Sequence, residues 1–174
     1  MPRPRPPRTP ARGLTLLELM IALAMVAVLM GVAVPSLSAM LARHRLRSAA
    51  EHLAMDLGET RHEAVRLGRP LHVSFQTGNR WCYAVSTSPQ ADCRAGDAAV
   101  LKLVTHQDHP GVSLLQAATQ SFDAMQGLSP IAAGPILLAA PTGEQLRVQV
   151  SRLGRPAVCA PELPMPAVRP CAPS

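Results

Sequence analysis

Residues 11–37 read "ARGLTLLELMIALAMVAVLMGVAVPSL", and the fold turns on how that run is taken. From Leu14 to Val34 there are 21 residues and one ionisable group, Glu18. A helix rising about 1.5 Å per residue makes such a run roughly 30 Å long, one bilayer core. A charge held at that depth costs at least ~2.5 kcal/mol, so Glu18 reads as a residue kept for a purpose. Ahead of the run, "MPRPRPPRTPARG" (residues 1–13) is basic and rich in proline. Proline lacks the amide donor a helix needs, and arginines hold a segment on the cytoplasmic side. The competing reading is a long secretory signal, with "AVPSLSA" (residues 33–39) as its cleavage site.

Pro35 closes the apolar run without ending the helix, because helical periodicity resumes at once. Leu46, Ala50, Leu53, Leu57, Thr60, Ala64 and Leu67 recur at spacings of three and four, one stripe along a helix. Arg45, Arg47, Glu51, Glu59, Glu63 and Arg66 fall off that stripe. With alanine and threonine in the stripe, packing on the chain's own sheet is favoured over a coiled-coil seam. "RLGRP" (residues 66–70) supplies the stop, Gly68 as cap and Pro70 beyond it.

After Pro70 the period becomes two. "LHVSFQT" alternates Leu71, Val73 and Phe75 with polar residues, "TGNR" reads as a turn, and "RWCYAVSTS" as the returning strand. Further short strands are expected in "AVLKLVT", "GVSLLQA", "TQSFDAM", "PILLAA" and "QLRVQVS", with "APTGEQ" as the turn between the last two. The tail from Pro156 to Ser174 holds six prolines and is expected to be irregular. The fold class is therefore α+β. A transmembrane helix over 14–35 continues as an amphipathic helix over 36–69, packed on an antiparallel β domain over 70–174.

Composition removes several functions. The formal net charge is +6, but Arg3, Arg5, Arg8 and Arg12 supply four of those charges, and the remainder carries 13 basic against 11 acidic residues. A nearly neutral body is a poor bulk binder of nucleic acid. Phe75, Trp81, Tyr83 and Phe122 are the only aromatics, too few for a base-stacking surface, and Trp81 reads as a core anchor. "RHEAVRLG" begins like a zinc-protease helix, but Arg66 stands where the second histidine would be. His106, Asp108 and His109 in "HQDH" have metal-ligand character, yet lie on a loop before Pro110 and read as a solvated turn. Met20, Met25, Met30 and Met40 are apolar helix filler. No phosphate-cradling glycine loop and no Gly-x-Ser-x-Gly elbow occurs. No metal or cofactor is expected.

Cys82, Cys93, Cys159 and Cys171 are even in number and follow a membrane-targeting N-terminus, which suits an oxidising compartment. Four cysteines admit three pairings. The two local ones, Cys82 with Cys93 and Cys159 with Cys171, are favoured, each closing a loop worth on the order of 3 kcal/mol. The spacings are too long for a Cys-x-x-Cys zinc knuckle.

"RGLTLLELMIALAMVAVLMGVAVPSL" resembles the class III signal of type IV pilins and type II secretion pseudopilins. "ARHRLRSAAEHLAMDLGETRHEAVRLGRPL" narrows the likeness to minor pilins of the GspH/FimT type. There Arg61, Glu63, Ala64 and Pro70 match a shared pattern, and "RWCYAVS" and "SRLGRPAVC" are similar too. The resemblance implies a structural subunit without enzymatic activity, with a β-sandwich-like domain on the periplasmic side of the bacterial inner membrane. It implies that prepilin peptidase cuts after Gly13, removing residues 1–13, and that Leu14 becomes the methylated N-terminus. Leu14 departs from the phenylalanine usual there. Glu18 would pair with the N-terminal amine of a neighbour, and Pro35 is the proline near the end of the assembly helix. Partners would be other minor and major pilins or pseudopilins, in a type IV pilus or a type II secretion pseudopilus. Some relatives bind DNA through a Gly-Arg-x-Arg motif. Here it reads Gly154, Arg155, Pro156, Ala157, without the second arginine, and leaves Arg147, Arg152 and Arg155 as the candidates for weak DNA contact.

Overall fold

The structure, a computed structural model, describes residues 15–78, 80–96, 99–129, 134–161 and 165–171. The expected leader, Gly13 and Leu14 lie outside the described residues, as does Asn79 of the expected "TGNR" turn. The chain divides into two units, Met1–Ser38 and Ala39–Ser174. A single helix, α1 (Leu16–Leu67, 52 residues), contributes to both.

In the first unit the described side chains of α1 are exposed, Leu16, Met20, Leu23, Met25 and Leu29 among them. Water would not tolerate such a surface, and a bilayer or a bundle of like helices would. This is the one helix among the described residues long and apolar enough to cross a membrane.

The second unit holds the core. Leu46, Ala50, Leu53, Leu57, Thr60 and Ala64 of the sequence stripe are all buried. They meet Leu71, Val73, Trp81, Tyr83, Phe122, Ile136, Leu138, Leu146 and Val148 in one apolar cluster, except Thr60, which turns its hydroxyl to the Asp56 carbonyl at 2.6 Å. Leu67 departs from the stripe, at 39% exposed. It is the last helical residue and lines an open cleft of about 430 Å³ with Leu71, Val85 and Leu101. The helix stops because Gly68 adopts φ +62° and sends its amide to the Val65 carbonyl, while the Arg69 amide reaches back to Ala64. These are the two hydrogen bonds of a glycine-terminated helix end.

Eight strands follow: β1 (Leu71–Gln76), β2 (Cys82–Ser86), β3 (Val100–Thr105), β4 (Ser113–Gln116), β5 (Gln120–Phe122), β6 (Ile136–Ala139), β7 (Gln145–Val150) and β8 (Pro156–Cys159). They form two antiparallel sheets, ordered β3-β2-β1-β5 and β4-β6-β7-β8. The chain builds most of the first sheet, crosses to β4, returns for β5 and finishes the second. Every residue of β2 is buried. One face meets the core through Tyr83 and Val85; the other is covered by the loop that the Cys82–Cys93 disulfide closes, through Cys82, Ala84 and Cys93.

Two expectations from the sequence need correction. The segment "TQSFDAM" is a strand only to Phe122, because the Asp123 carboxylate takes the amides of Met125, Gln126, Gly127 and Leu128 and so fixes a loop. The tail is not irregular from Pro156: β8 pairs with β7 from Pro156 opposite Val150 to Cys159 opposite Arg147. Proline fits as the first residue of an edge strand, where its missing donor disturbs least. Beyond β8 the Ala160 amide bonds to the Arg169 carbonyl and Cys171 to Ala160, and a Cys159–Cys171 disulfide joins the same segments.

Candidate functional site

The first candidate is the start of α1. Thr15 precedes the helix, and its hydroxyl accepts the Glu18 amide at 3.3 Å while its carbonyl accepts the Leu19 amide. Thr-x-x-Glu at a helix start is a capping pattern, and it was open to reading in the sequence. Glu18 lies in the first helical turn, the only acid there, where the N-terminal end of the helix dipole favours a negative charge. The helix backbone runs unbroken past Pro35. The segment is thus an apolar rod with one carboxylate near its start.

The second candidate is the arginine group near β7 and β8. Strand alternation sends Leu146 and Val148 into the core and Arg147 to the opposite face, opposite Leu137 and Cys159. Arg147 is half-buried there, with its Nε out of contact with solvent and without a hydrogen-bond partner. Arg152 and Arg155 are exposed and flank the tight turn between β7 and β8, which the Gly154 amide closes on the Ser151 carbonyl at 2.8 Å. Arg152 and Arg155 therefore sit together, and Arg147 is set apart on the strand.

A further arginine belongs to this turn. The side chain of Arg61, half-buried on α1, passes between Gly127 and Gly154 and donates from Nε to the Gly127 carbonyl at 3.1 Å. Both glycines have positive φ, +66° and +70°. A methyl group at Gly154 would collide with the Gly127 carbonyl and the Arg61 side chain, so only glycine fits. Arg61 thus packs beside the turn that carries Arg152 and Arg155.

A polar network pins α1 to the first sheet. Asp56, 3% exposed, accepts the Tyr83 hydroxyl and the Lys102 ammonium, each at 2.8 Å; Lys102 also reaches Glu59 at 3.2 Å. Burial first, and then the Asp56 charge, pushes the Tyr83 phenol well above its ordinary range. The hydrogen bond to Asp56 raises the Lys102 ammonium. Of the "HQDH" residues, Asp108 serves the loop itself: it accepts the amide and hydroxyl of Thr105, which hold its carboxyl below the usual range, whereas His109 is half-buried against Trp81 and His52 and is not the solvated turn residue that the sequence suggests. No three His, Cys, Asp or Glu side chains are grouped for a metal among the described residues.

A membrane-length helix with an acid in its first turn, continuing into a helix buried against two antiparallel sheets, defines the class of type IV pilin-like proteins. The family model for type II transport protein GspH matches residues 49–154, and that for the prokaryotic N-terminal methylation motif matches residues 8–34. The chain belongs to the GspH family, and it is a pseudopilin or minor pilin subunit. That family is structural rather than catalytic. The motif and apolar helix fit a single-pass anchor in the inner membrane, and the family implies processing by prepilin peptidase and assembly with other pilins or pseudopilins. No curated protein and no solved structure matches the chain.

Proposed function

We propose that this chain is a tip-located minor subunit of a type II secretion pseudopilus or type IV pilus, with its β domain in the periplasm. Prepilin peptidase cuts after Gly13, and Leu14 becomes a methylated N-terminal amine. Glu18 pairs with that amine on a neighbouring subunit, so that each offsets part of the other's cost in an apolar bundle. The observation that carries the reading is the register. The methylation motif (8–34) and the GspH match (49–154) fall on a chain whose α1 runs from Leu16 to Leu67 without a break. Co-expression with a prepilin peptidase, followed by mass analysis of the N-terminus, is expected to give a chain starting at Leu14. A start near Ser36 or Ala39 would support a conventional signal peptide instead.

A second reading is favoured by the β7–β8 turn. Arg61, Arg152 and Arg155 gather at one corner, and the nearby Asp123 is fully engaged by backbone amides. Three arginines could contact phosphates of DNA without reading sequence. Binding of the detergent-solubilised chain to duplex DNA should then fall with salt at a log–log slope of about −3. Equal affinity in wild type and in Arg152→Ala/Arg155→Ala would leave the structural reading alone.

A further inference from the structure

The loop from His106 to Val112 is the crossover between the two sheets, leaving β3 and entering β4. It is tied to α1 by an unusual contact. His52 Nδ1 and His109 Nε2 lie 3.1 Å apart, with ring centroids at 5.1 Å, and both side chains are half-buried. The indole of Trp81 stacks on His109, centroids 6.2 Å apart at 12°, and donates from Nε1 to the Val112 carbonyl at 2.7 Å. The Val112 amide returns to the His109 carbonyl at 3.3 Å. His109 and Trp81 thus brace the whole crossover.

Two imidazoles can hold this contact only if at least one facing nitrogen is bare. A neutral pair has one N–H donating to one lone pair. A singly protonated pair still has a donor and an acceptor. A doubly protonated pair has two donors and two positive charges pointing at each other, with no acceptor between them. We propose that His52 and His109 form a proton-operated clasp between α1 and the sheet-to-sheet crossover, closed with up to one added proton and opened by the second.

The surroundings support this. From α1, Asp56 faces the pair, but its two carboxylate oxygens are already held by Tyr83 and Lys102. Arg45, also on α1, brings a further positive charge to 3.9 Å from where a methyl group on Gly111 would lie. From the loop, Asp108 favours the charged form, but its carboxylate is bound to Thr105. Burial and the His52 charge outweigh these acids and lower the His109 pKa from its ordinary 6.5. A folded-state value below the unfolded one means that the clasp is complete above about pH 6.5. It is lost as pH falls through the folded value, so stability rises with pH across that window.

The test uses the full chain in detergent micelles, from pH 8 to pH 4.5. Nitrogen-15 NMR of the His109 ring is expected to show it gaining its proton below its ordinary 6.5, together with loss of the contact to His52. Trp81 is the chain's one tryptophan and is 2% exposed. Its emission should stay blue until His109 gains its proton and then move to longer wavelength, while far-UV circular dichroism holds. In His52→Gln the amide can still meet His109 but adds no charge, so the acid red shift should vanish. His72 also has a lowered pKa but bonds Ser121 elsewhere, and His72→Asn should leave the response unchanged. A red shift in His52→Gln at the wild-type pH, protonation of His109 with its contact to His52 intact, or no wild-type red shift above pH 4.5 would each overturn the clasp.

Discussion

Single residues decide more here than their size suggests. Gly143 and Gly154 both have positive φ, +92° and +70°, but differ in surroundings. Nothing lies within 4 Å of a methyl group placed at Gly143, whereas one at Gly154 meets Gly127 and Arg61. Alanine at 143 should cost only the left-handed backbone, about 1–2 kcal/mol. Alanine at 154 should cost visibly more and loosen Arg61. Denaturant titration of the two variants side by side checks the order. Tyr83 gives a second expectation. Its phenol and the Lys102 ammonium both have raised pKa values in the folded chain. The stability that these two groups contribute should therefore be full below about pH 10 and fall as pH rises beyond their ordinary values. Tyr83 is the only tyrosine, so absorbance at 295 nm follows it alone. Ionisation should appear late and together with unfolding, and a free titration near pH 10 would show the Asp56 contact to be absent. The role of Arg61 was not legible in its sequence neighbourhood, because its partner Gly127 is 66 residues away. The Thr15–Glu18 cap is local, and its Thr-x-x-Glu spacing was the signal that would have given it.

Among elements, α1 was the most legible. Leucine and alanine at spacings of three and four mark a buried face whatever lies beneath it, and Leu46 to Ala64 are buried accordingly. β8 was hidden by its composition. Proline at its first position and the prolines beyond it masked a four-residue strand whose existence depends on β7 alongside. Leu57 lies fully buried at the middle of the helix face, so Leu57→Ala should destabilise the domain by about 2–5 kcal/mol in chemical denaturation. Glu18→Ala belongs to the other end of the same helix and should behave oppositely. It makes the segment more apolar, so membrane insertion should be unchanged or improved. Co-purification with other pilin-type subunits should drop severalfold. Wild-type recovery of partners would remove Glu18 from assembly.

At the scale of the molecule, the family could be reached from residues 11–71, whereas the pairing of eight strands into two sheets could not. Strand order depends on contacts between distant segments, such as β1 with β5, that no local pattern records. The Cys159–Cys171 bridge holds a tail that sets Met165 into the core. Cys159→Ser with Cys171→Ser should cost about 2–5 kcal/mol and expose that methionine to peroxide. The back-and-forth path between the sheets bears on how the chain is made. A ribosome releases residues in order, so α1 emerges first with an oily face and nothing to lay it against. The first sheet waits for Phe122 and the second for Cys159. Until the last strands arrive, the apolar stripe of α1 therefore has no complete pair of sheets to lie against. Arrested nascent chains ending before residue 120 should be protease-sensitive beyond the membrane-length part of α1, and those extending past residue 171 should resist.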